Sequence, residues 1–448
     1  MPDGTTASLA PPPSRGELAR RILALAAPTT LSSGLQSACM LAETWLAARQ
    51  GTAALAGWAV VLPFSLLLGM MSAGAMGGGV SSAVARALGA KRPEEASALV
   101  RHAVVIALVF ALLFIIPLAI FPHAVLGLVG GPEAAAAAAG YAAWTFGAGA
   151  IPTWLTNVLA SVLRGGGKHA LASRTQIFAW LAYPPLAFLL MEPLGMGLAG
   201  LGLAFALAMT GGAIAMCLTV LRGGAGFTPV LLGPVQLGLF WKILSVGLVA
   251  CMMASISNLT TILVTAQIKA RGAAAVAAYG VSARLEFLMI PLAFGVGAAL
   301  TALVGRAVGA GDWPLARRTA WVGTFMALGV TVPVALLVSA FPGATASFFS
   351  HDPAVQEMAT RALRIVGPAM PFFGGGMALY FASIGAARMG HPVMAGFSRI
   401  AIAVFGGWWL AEAAGLGLEG NLIGVAAGIT AFGLINVAGV RPGIWRKK

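Results

Sequence analysis

The chain has 448 residues, of which 59% are hydrophobic and only 9% are charged. The mean hydropathy of +0.92 excludes an ordinary soluble globular protein, and recurring apolar runs of about twenty residues indicate a polytopic helical membrane protein. Basic residues in short loops account for the net charge of +14, so no nucleic-acid partner is expected.

The predicted elements begin after a polar, proline-rich segment. Residues 1–20 are expected to form a disordered tail, and they lack the pattern of a signal peptide. Twelve membrane-spanning helices follow, bounded by charged residues, proline and glycine. They are predicted at 22–48, 54–85, 99–121, 135–163, 173–191, 199–221, 241–268, 273–304, 319–341, 355–386, 393–411 and 420–440.

Lysine and arginine set the expected orientation. If the twelve helices alternate across the membrane, most of the 27 basic residues fall on the side of the N-terminus, Arg164 and Arg399 among them. Since basic loops favour the cytoplasm, both termini are predicted to be cytoplasmic, and the protein is placed in a bacterial inner membrane. Arg284 falls within a predicted helix.

Internal repetition is the second organising feature. VARALGA at Val84 matches VGRAVGA at Val304, 220 residues later, and the same offset relates GMGLAG at Gly195 to GLGLEG at Gly415 and Phe121-Pro122 to Phe341-Pro342. We therefore predict an all-α membrane protein with two six-helix lobes, related by parallel duplication around a central cleft that holds the substrate. The expected domains are an N-lobe at 21–222, a cytoplasmic linker at 223–240, a C-lobe at 241–441 and a basic tail at 442–448.

The repeats also contain candidate turn and gate residues. Gly89 and Gly309 are expected to be helix C-caps in cytoplasmic loops. Arg86 and Arg306 beside them are interpreted first as topology determinants and second as gating residues.

Glu43 is the candidate for the central chemistry. It is the only charged residue from 22 to 48, and Ser32, Gln36 and Met40 share its helix face. A charge at membrane depth costs about 2.5–3.5 kcal/mol, which is comparable to the cost of keeping a carboxyl group protonated near neutral pH. Glu43 is therefore predicted to exchange a proton. The alternative is that Arg49 or a water-filled vestibule keeps it permanently charged.

Other polar residues within the predicted helices are candidates for the cleft wall. Glu286 would either contact substrate or form a structural ion pair, and Arg284, two positions earlier, faces another direction. Asn157 and Asn258 would either line the cleft or join neighbouring helices. The three cysteines lie in apolar segments without metal-ligand spacing, so neither a disulfide framework nor a metal site is predicted.

Five stretches in order carry a family resemblance. They are LAETWLAARQGTAALAG, VARALGAKRPEEA, VLRGGGKHA, VAAYGVSARLEFLMIPLAFGVGAALTALVGRAVGAGD and IGAARMGHP. Together they resemble the multidrug and toxic compound extrusion (MATE) family of secondary transporters, and more closely its branch with an acidic residue in the first helix (DinF-like). The resemblance implies two six-helix lobes, alternating access and export of organic compounds in exchange for H⁺ or Na⁺.

The resemblance carries over unevenly to individual residues. Glu43 stands where many relatives have an aspartate whose protonation is associated with bending of the first helix, and Pro28 matches a proline near the start of that helix and is its expected hinge. In the fifth helix, Trp180 and Pro184 replace the asparagine and aspartate that help to form a sodium site in some members. Because hard cations need several oxygen ligands, protons are favoured over sodium as the coupling ion.

The expected function is a proton-coupled antiporter for cationic or amphipathic drug-like compounds, acting as a monomer in the lipid bilayer without a cofactor. Two alternatives within transport are a sodium-coupled multidrug exporter and a lipid-linked oligosaccharide flippase. The flippase would need several basic residues in the cleft, and Arg284 is the one clear candidate. An intramembrane enzyme is disfavoured, because the sequence has neither HExxH nor G-x-S-x-G.

Overall fold

The computed structural model describes residues 13–446, without the side chains at 287, 288, 291 and 292. The described chain forms fourteen helical elements. They are α1 Arg15–Arg49, α2 Thr52–Gly89, α3 Pro93–Ile120, α4 Pro122–Ala148, α5 Ala150–Gly165, α6 His169–Met191, α7 Gly197–Leu221, α8 Leu237–Arg271, α9 Ala273–Gly309, α10 Trp313–Ala340, α11 Pro342–Phe349, α12 Pro353–Ala386, α13 Gly390–Glu412 and α14 Gly417–Gly439.

These elements form the two six-helix lobes that the sequence predicts. Elements α1–α7 build the N-lobe and α8–α14 the C-lobe. Eight helices in the described chain are long and apolar enough to cross a membrane, and α4 with α5 forms a ninth span bent by 44°. The remaining predicted spans correspond to the long helices α1, α6 and α9. The predicted fold class is confirmed.

The backbone shows the duplication directly. Gly51 before α2 and Gly272 before α9 have φ/ψ of 96°/175° and 101°/166°, a conformation that favours glycine. Phe121 and Phe341 precede proline-initiated helices with φ/ψ of −120°/46° and −122°/52°. Sequence positions 220 or 221 residues apart therefore adopt the same local structure.

The structure shifts three of the predicted boundaries. Ser14 accepts a hydrogen bond from the Glu17 N–H and caps α1, so residues 15–20 are helical rather than part of the predicted tail. Residues 1–12 lie outside the described part. The predicted linker at 223–240 ends early, because α8 begins at Leu237. In the predicted tail at 442–448, Trp445 is fully buried, and residues 447 and 448 are not described.

The linker is fastened to the N-lobe through α3. The Arg101 guanidinium donates to the Pro234 carbonyl at 2.8 Å, and the Gln236 N–H donates to His102 Nε2 at 2.8 Å. The ring of His102 also packs edge-on against Phe240, with centroids 4.7 Å apart. These contacts hold the start of the C-lobe against the N-lobe.

The lobes meet on the side of the membrane where α1 begins, which we call the N-side. A Cβ atom on Gly89 would lie 2.2 Å from the Arg306 carbonyl oxygen, and one on Gly309 would lie 2.1 Å from the Arg86 carbonyl oxygen. Both glycines lie in the last helical turn, and the C-caps are Ala90 and Ala310. The prediction that they are C-caps is therefore wrong. They are glycines because the two backbones touch there.

The two arginines beside these glycines reach across the interface in opposite directions. Arg86 Nη1 donates to the Gly385 carbonyl at 3.3 Å, and Arg306 Nη2 donates to the Gly166 carbonyl at 2.7 Å. Gly385 is in the last turn of α12 and Gly166 follows α5, where carbonyl groups lack partners within the helix. Each lobe thus caps a helix of the other lobe on the N-side. We call these contacts, with Gly89 and Gly309, the N-side closure.

Glu95 adds an ion pair between the lobes at the same level. It bonds to Lys242 of α8 and lies 3.4 Å from Arg92. The ionised carboxylate therefore stabilises the fold at neutral pH, and this contribution disappears in acid, where the carboxylate is protonated and the ion pair is lost.

Replacing Glu95 with Gln is expected to lower the stability of the protein by about 0.2–1 kcal/mol at pH 7, the range for partly exposed ion pairs. The difference from the native protein should vanish in acid, where Glu95 itself is protonated. Thermal unfolding in detergent across pH measures both effects. The neighbouring exposed residue Glu94 provides the control, because its replacement with Gln should leave the unfolding temperature unchanged at every pH.

Candidate functional site

A cavity of about 360 Å³ lies between the lobes. Both lobes contribute to its mostly apolar wall, which includes aromatic side chains and methionines such as Phe205, Met209, Phe294, Phe373 and Met377. Mixed apolar walls with a few polar groups are typical of sites for small organic molecules. The cavity lies where a site related to the duplication is expected.

Helix α1 supplies a polar stripe to this wall. Gln36, Met40 and Glu43 line the cavity at helical spacing, together with Ser33 and Ser37. At a rise of 1.5 Å per residue, the stripe from Ser33 to Glu43 is about 15 Å long. Glu43 is half-buried and stands near the end of the cavity away from the N-side.

Two buried hydrogen-bond donors lie beside the Glu43 carboxyl group, the indole N–H of Trp58 and the hydroxyl of Tyr183. In the described chain, neither has a hydrogen bond of standard geometry. Arg49 pairs instead with Glu192 at 3.1 Å and lies over the Trp45 ring. The alternative that Arg49 holds Glu43 in its charged form is therefore excluded.

Aromatic rings occupy the wall next to Glu43. Trp180 lines the cavity, and its ring centroid lies 6.2 Å from that of Tyr183 and 6.4 Å from that of Phe205. The backbone carbonyl of Trp180 accepts a hydrogen bond from the Cys39 thiol of α1 at 3.2 Å. The side chains of this wall supply π-faces and few oxygen ligands.

A directed chain of hydrogen bonds runs through the N-lobe wall. Arg164 Nη2 donates to Gln176 Oε1 at 2.6 Å, and Gln176 Nε2 donates to Asn157 Oδ1 at 3.1 Å. Asn157 Nδ2 then donates to Ser72 Oγ at 2.8 Å, within a π-helical stretch of α2. Asn157 and Gln176 line the cavity, so this chain fixes the orientation of both amides.

The C-lobe wall carries one charged residue, Arg399 of α13. It is 5% exposed, its Nη2 donates to the Glu286 carboxylate of α9, and its Nη1 lies 3.4 Å from Ser257 Oγ. The guanidinium carbon is also 5.2 Å from the centre of the Phe373 ring. The ion pair therefore joins two helices behind the cavity wall, and Arg399 is the member that reaches the cavity.

The family model described as MatE matches residues 28–189 and 246–409, most of both lobes. The chain belongs to the MATE family. Proteins of this family are transporters, which agrees with the expectation that the chain is not an enzyme.

Solved structures with the same fold cover nearly the whole MATE chain. A MOP superfamily transporter from Pyrococcus furiosus, described as having a binding pocket of reverse polarity, aligns with a TM-score of 0.87 at 21% identity over 96% of each chain. A MATE in the bent conformation aligns at 0.89 with 22% identity, again over 96% of each chain. A multidrug resistance MATE transporter in an outward-facing conformation aligns at 0.86 with 21% identity over 96% of each.

Four of the predicted cavity residues of this MATE transporter lie together on the wall. Gln36, Met40, Glu43 and Asn157 all line the cavity. Their roles in transport remain predictions. Pro28 lies within α1, which continues through it as one helix, about one turn on the N-side of the cavity.

Three other predicted cavity residues are corrected by the geometry. Glu286 is buried behind the wall and its carboxylate is paired with Arg399. Of its two alternatives, contact with substrate and a structural ion pair, the structure has the ion pair. Asn258 is not a lining residue: its Nδ2 donates to the Ala254 carbonyl at 2.9 Å and to Met70 Sδ of α2 at 3.9 Å, so of its two alternatives the structure has the contact between helices. Arg284 is exposed and outside the lining as well, since it faces away from Glu286 on α9.

Sequence reasoning missed Arg399 and Gln176 in this MATE protein. Arg399 is predicted to be one of the basic residues of the cytoplasmic side, yet it lies within α13 and is 5% exposed. A buried arginine must find an acceptor, and Glu286 was an unpaired acid in the same lobe. The presence of one arginine and one acid within predicted helices of the same lobe was the pattern that could have indicated this ion pair.

Proposed function

We propose that this protein is a secondary antiporter of a bacterial inner membrane that exports amphipathic organic cations in exchange for protons. Both termini are cytoplasmic in this proposal, and the protein works as a monomer without a cofactor. One observation carries the proposal. Glu43 lines the cavity between the lobes, and in the described chain no basic residue forms an ion pair with it.

Coupling requires that proton and cargo compete for the same region, because a ligand shifts an equilibrium only through its different affinities for two states. A cationic cargo would bind near ionised Glu43, and protonation of Glu43 would weaken that binding. The cargo leaves when Glu43 takes up a proton from outside. The proton leaves on the cytoplasmic side after the N-side closure opens.

The first helix is the proposed moving part. Pro28 removes one backbone hydrogen bond from α1 and weakens it locally, and α1 carries the lining residues from Ser33 to Glu43. One similar structure is of a MATE in the bent conformation and another of a MATE in the straight conformation. We propose that α1 bends near Pro28 when Glu43 changes its protonation state.

Protons are proposed rather than sodium because of the wall beside Glu43. Na⁺ is a hard cation that needs several oxygen ligands, whereas the side chains from α6 and α7 that line this part of the cavity are the rings of Trp180 and Phe205, with Tyr183 packed against both. A carboxyl group that accepts a proton needs no such set of ligands.

The test uses purified protein in liposomes with a fluorescent organic cation as cargo. An imposed pH gradient is expected to drive accumulation, and a proton uncoupler should abolish it. A monovalent cation exchanged for one proton moves no net charge, so the pH difference alone drives the exchange and sustains a cargo gradient of about tenfold per pH unit. Accumulation driven by a Na⁺ gradient at equal pH would replace proton coupling with sodium coupling. Cargo movement without any gradient would contradict the antiporter.

A further inference from the structure

Arg399 is the charged residue of the C-lobe wall, and its contacts hold it in one orientation. It is 5% exposed, one nitrogen is bonded to Glu286, another lies near Ser257, and the guanidinium plane is above Phe373. Glu286 does not line the cavity and Arg399 does. The carboxylate therefore acts as an anchor behind the wall, and the arginine is the group that a molecule in the cavity meets.

The guanidinium has donors to spare. It carries five N–H groups and no acceptor, while Glu286 and Ser257 account for two of them. Because Glu286 balances its charge, Arg399 presents hydrogen-bond donors without a large net field. A group of this kind suits a carbonyl, an ester or a carboxylate on the bound molecule.

Glu43 lies in the other lobe but lines the same cavity. The cavity therefore has an acidic pole on the N-lobe wall and a donor pole on the C-lobe wall, with aromatic rings and methionines between them. A molecule that fills it can satisfy both poles at once only if it has a cationic group and a hydrogen-bond acceptor at separate positions.

We propose that Arg399 is a cargo-binding residue. The preferred cargo is an organic cation that also carries a hydrogen-bond acceptor, and Arg399 donates a hydrogen bond to that acceptor. Glu286 is a positioning residue, because it acts by orienting Arg399. The inference rests on the proposed function for the existence of an organic cargo, and it adds the second group by which that cargo is selected.

Three dyes with the same xanthene cation provide the probes. Tetramethylrosamine lacks an acceptor on its pendant ring, tetramethylrhodamine methyl ester has an ester there, and tetramethylrhodamine has a carboxylate. Fluorescence polarisation with purified protein in detergent gives the Kd of each dye. The native protein is expected to bind the ester and the carboxylate roughly tenfold more tightly than the rosamine, as one hydrogen bond to a charged group allows.

The main variant is the double substitution Glu286→Gln with Arg399→Met, because methionine has no N–H donor and the single Arg399 change would leave a buried carboxylate without a partner. It should bind all three dyes alike, with the rosamine Kd within about twofold of the native value. The control is Arg271→Met with Glu412→Gln, which removes an ion pair of 2.5 Å outside the cavity. The control should keep the tenfold preference.

A second variant keeps the test informative if the double variant does not fold. Glu286→Gln alone leaves Arg399 without its balancing charge, so it should increase the preference for the carboxylate dye over the ester dye. A tenfold preference that survives the double substitution would overturn the proposal, and so would equal binding of all three dyes by the native protein. Transport of the rosamine in liposomes tests the proposed export function separately. Export without the dye preference would contradict only the role of Arg399, and the dye preference without export would contradict only the proposed function.

Discussion

Glu43→Gln is expected to abolish cargo accumulation driven by a pH gradient, from about tenfold per pH unit to none. Glutamine keeps the size and hydrogen-bonding capacity of the side chain but cannot exchange a proton. Since Glu43 forms no ion pair within the described chain, its neutralisation breaks no charge partner, and the protein should fold normally. Cargo accumulation in liposomes and the thermal unfolding temperature measure the two parts of this expectation.

Glu192→Gln is the matched control. Glu192 lies on the side of the membrane opposite the N-side, bonded to Arg49 at 3.1 Å and to Gln50 at 3.2 Å, so this variant loses the same charge outside the cavity and should still transport. Full transport by Glu43→Gln would refute the role of Glu43 and would make Glu286 the next candidate. Because Glu286 is bonded to Arg399, the coupling mechanism would then need that ion pair to open.

Gly309→Ala is expected to force the N-side closure apart. The new Cβ atom would lie 2.1 Å from the carbonyl oxygen of Arg86, and this obstacle is backbone rather than a flexible side chain. Overpacking typically costs about 1–3 kcal/mol, so the population open on the N-side should rise by roughly fivefold to over a hundredfold. Spin labels on cysteines at Glu94 and Pro314, two exposed sites related by the duplication, would report the added distance.

Gly280→Ala is the control on the same helix, because a Cβ atom at Gly280 meets no atom within 4 Å. It gains the same helix propensity as the test variant and should leave the distances unchanged. Adding Gly89→Ala to Gly309→Ala should have little further effect. The methyl group at position 309 already separates the two backbones, so the contact of Gly89 with the Arg306 carbonyl is lost as well. Unchanged distances in Gly309→Ala would show that the closure yields locally and does not govern the lobes.

The parts of this protein that follow from local rules were predictable. Apolar length gave the spans, and repeated motifs such as VARALGA and VGRAVGA gave the duplication, because backbone turns recur wherever glycine or proline recurs. The stripe of Gln36, Met40 and Glu43 also followed from helical spacing alone. Each of these inferences uses residues close together in the sequence.

The errors came from contacts between distant segments. Gly89 and Gly309 resemble helix caps in isolation, and only the packing of α2 against α9 shows why each must lack a side chain. Arg399 is predicted by a rule about loops, although burial beside an acceptor such as the Glu286 carboxylate is an equally good place for an arginine. Glu286 and Arg399 are 113 residues apart, so no local pattern could pair them.

Helix α1 is shared between the two lobes. Ile22 and Ala26 pack into a core with Val296 and Leu300 of α9, whereas the other end of α1 is joined to α6 of the N-lobe by the contacts of Cys39 with Trp180 and of Arg49 with Glu192. If the lobes rotate against each other, each lobe therefore pulls on one end of α1. The resulting strain concentrates at Pro28, where a backbone hydrogen bond is missing. The mechanical compliance of α1 would then help to set the speed of the cycle, whichever ion drives it.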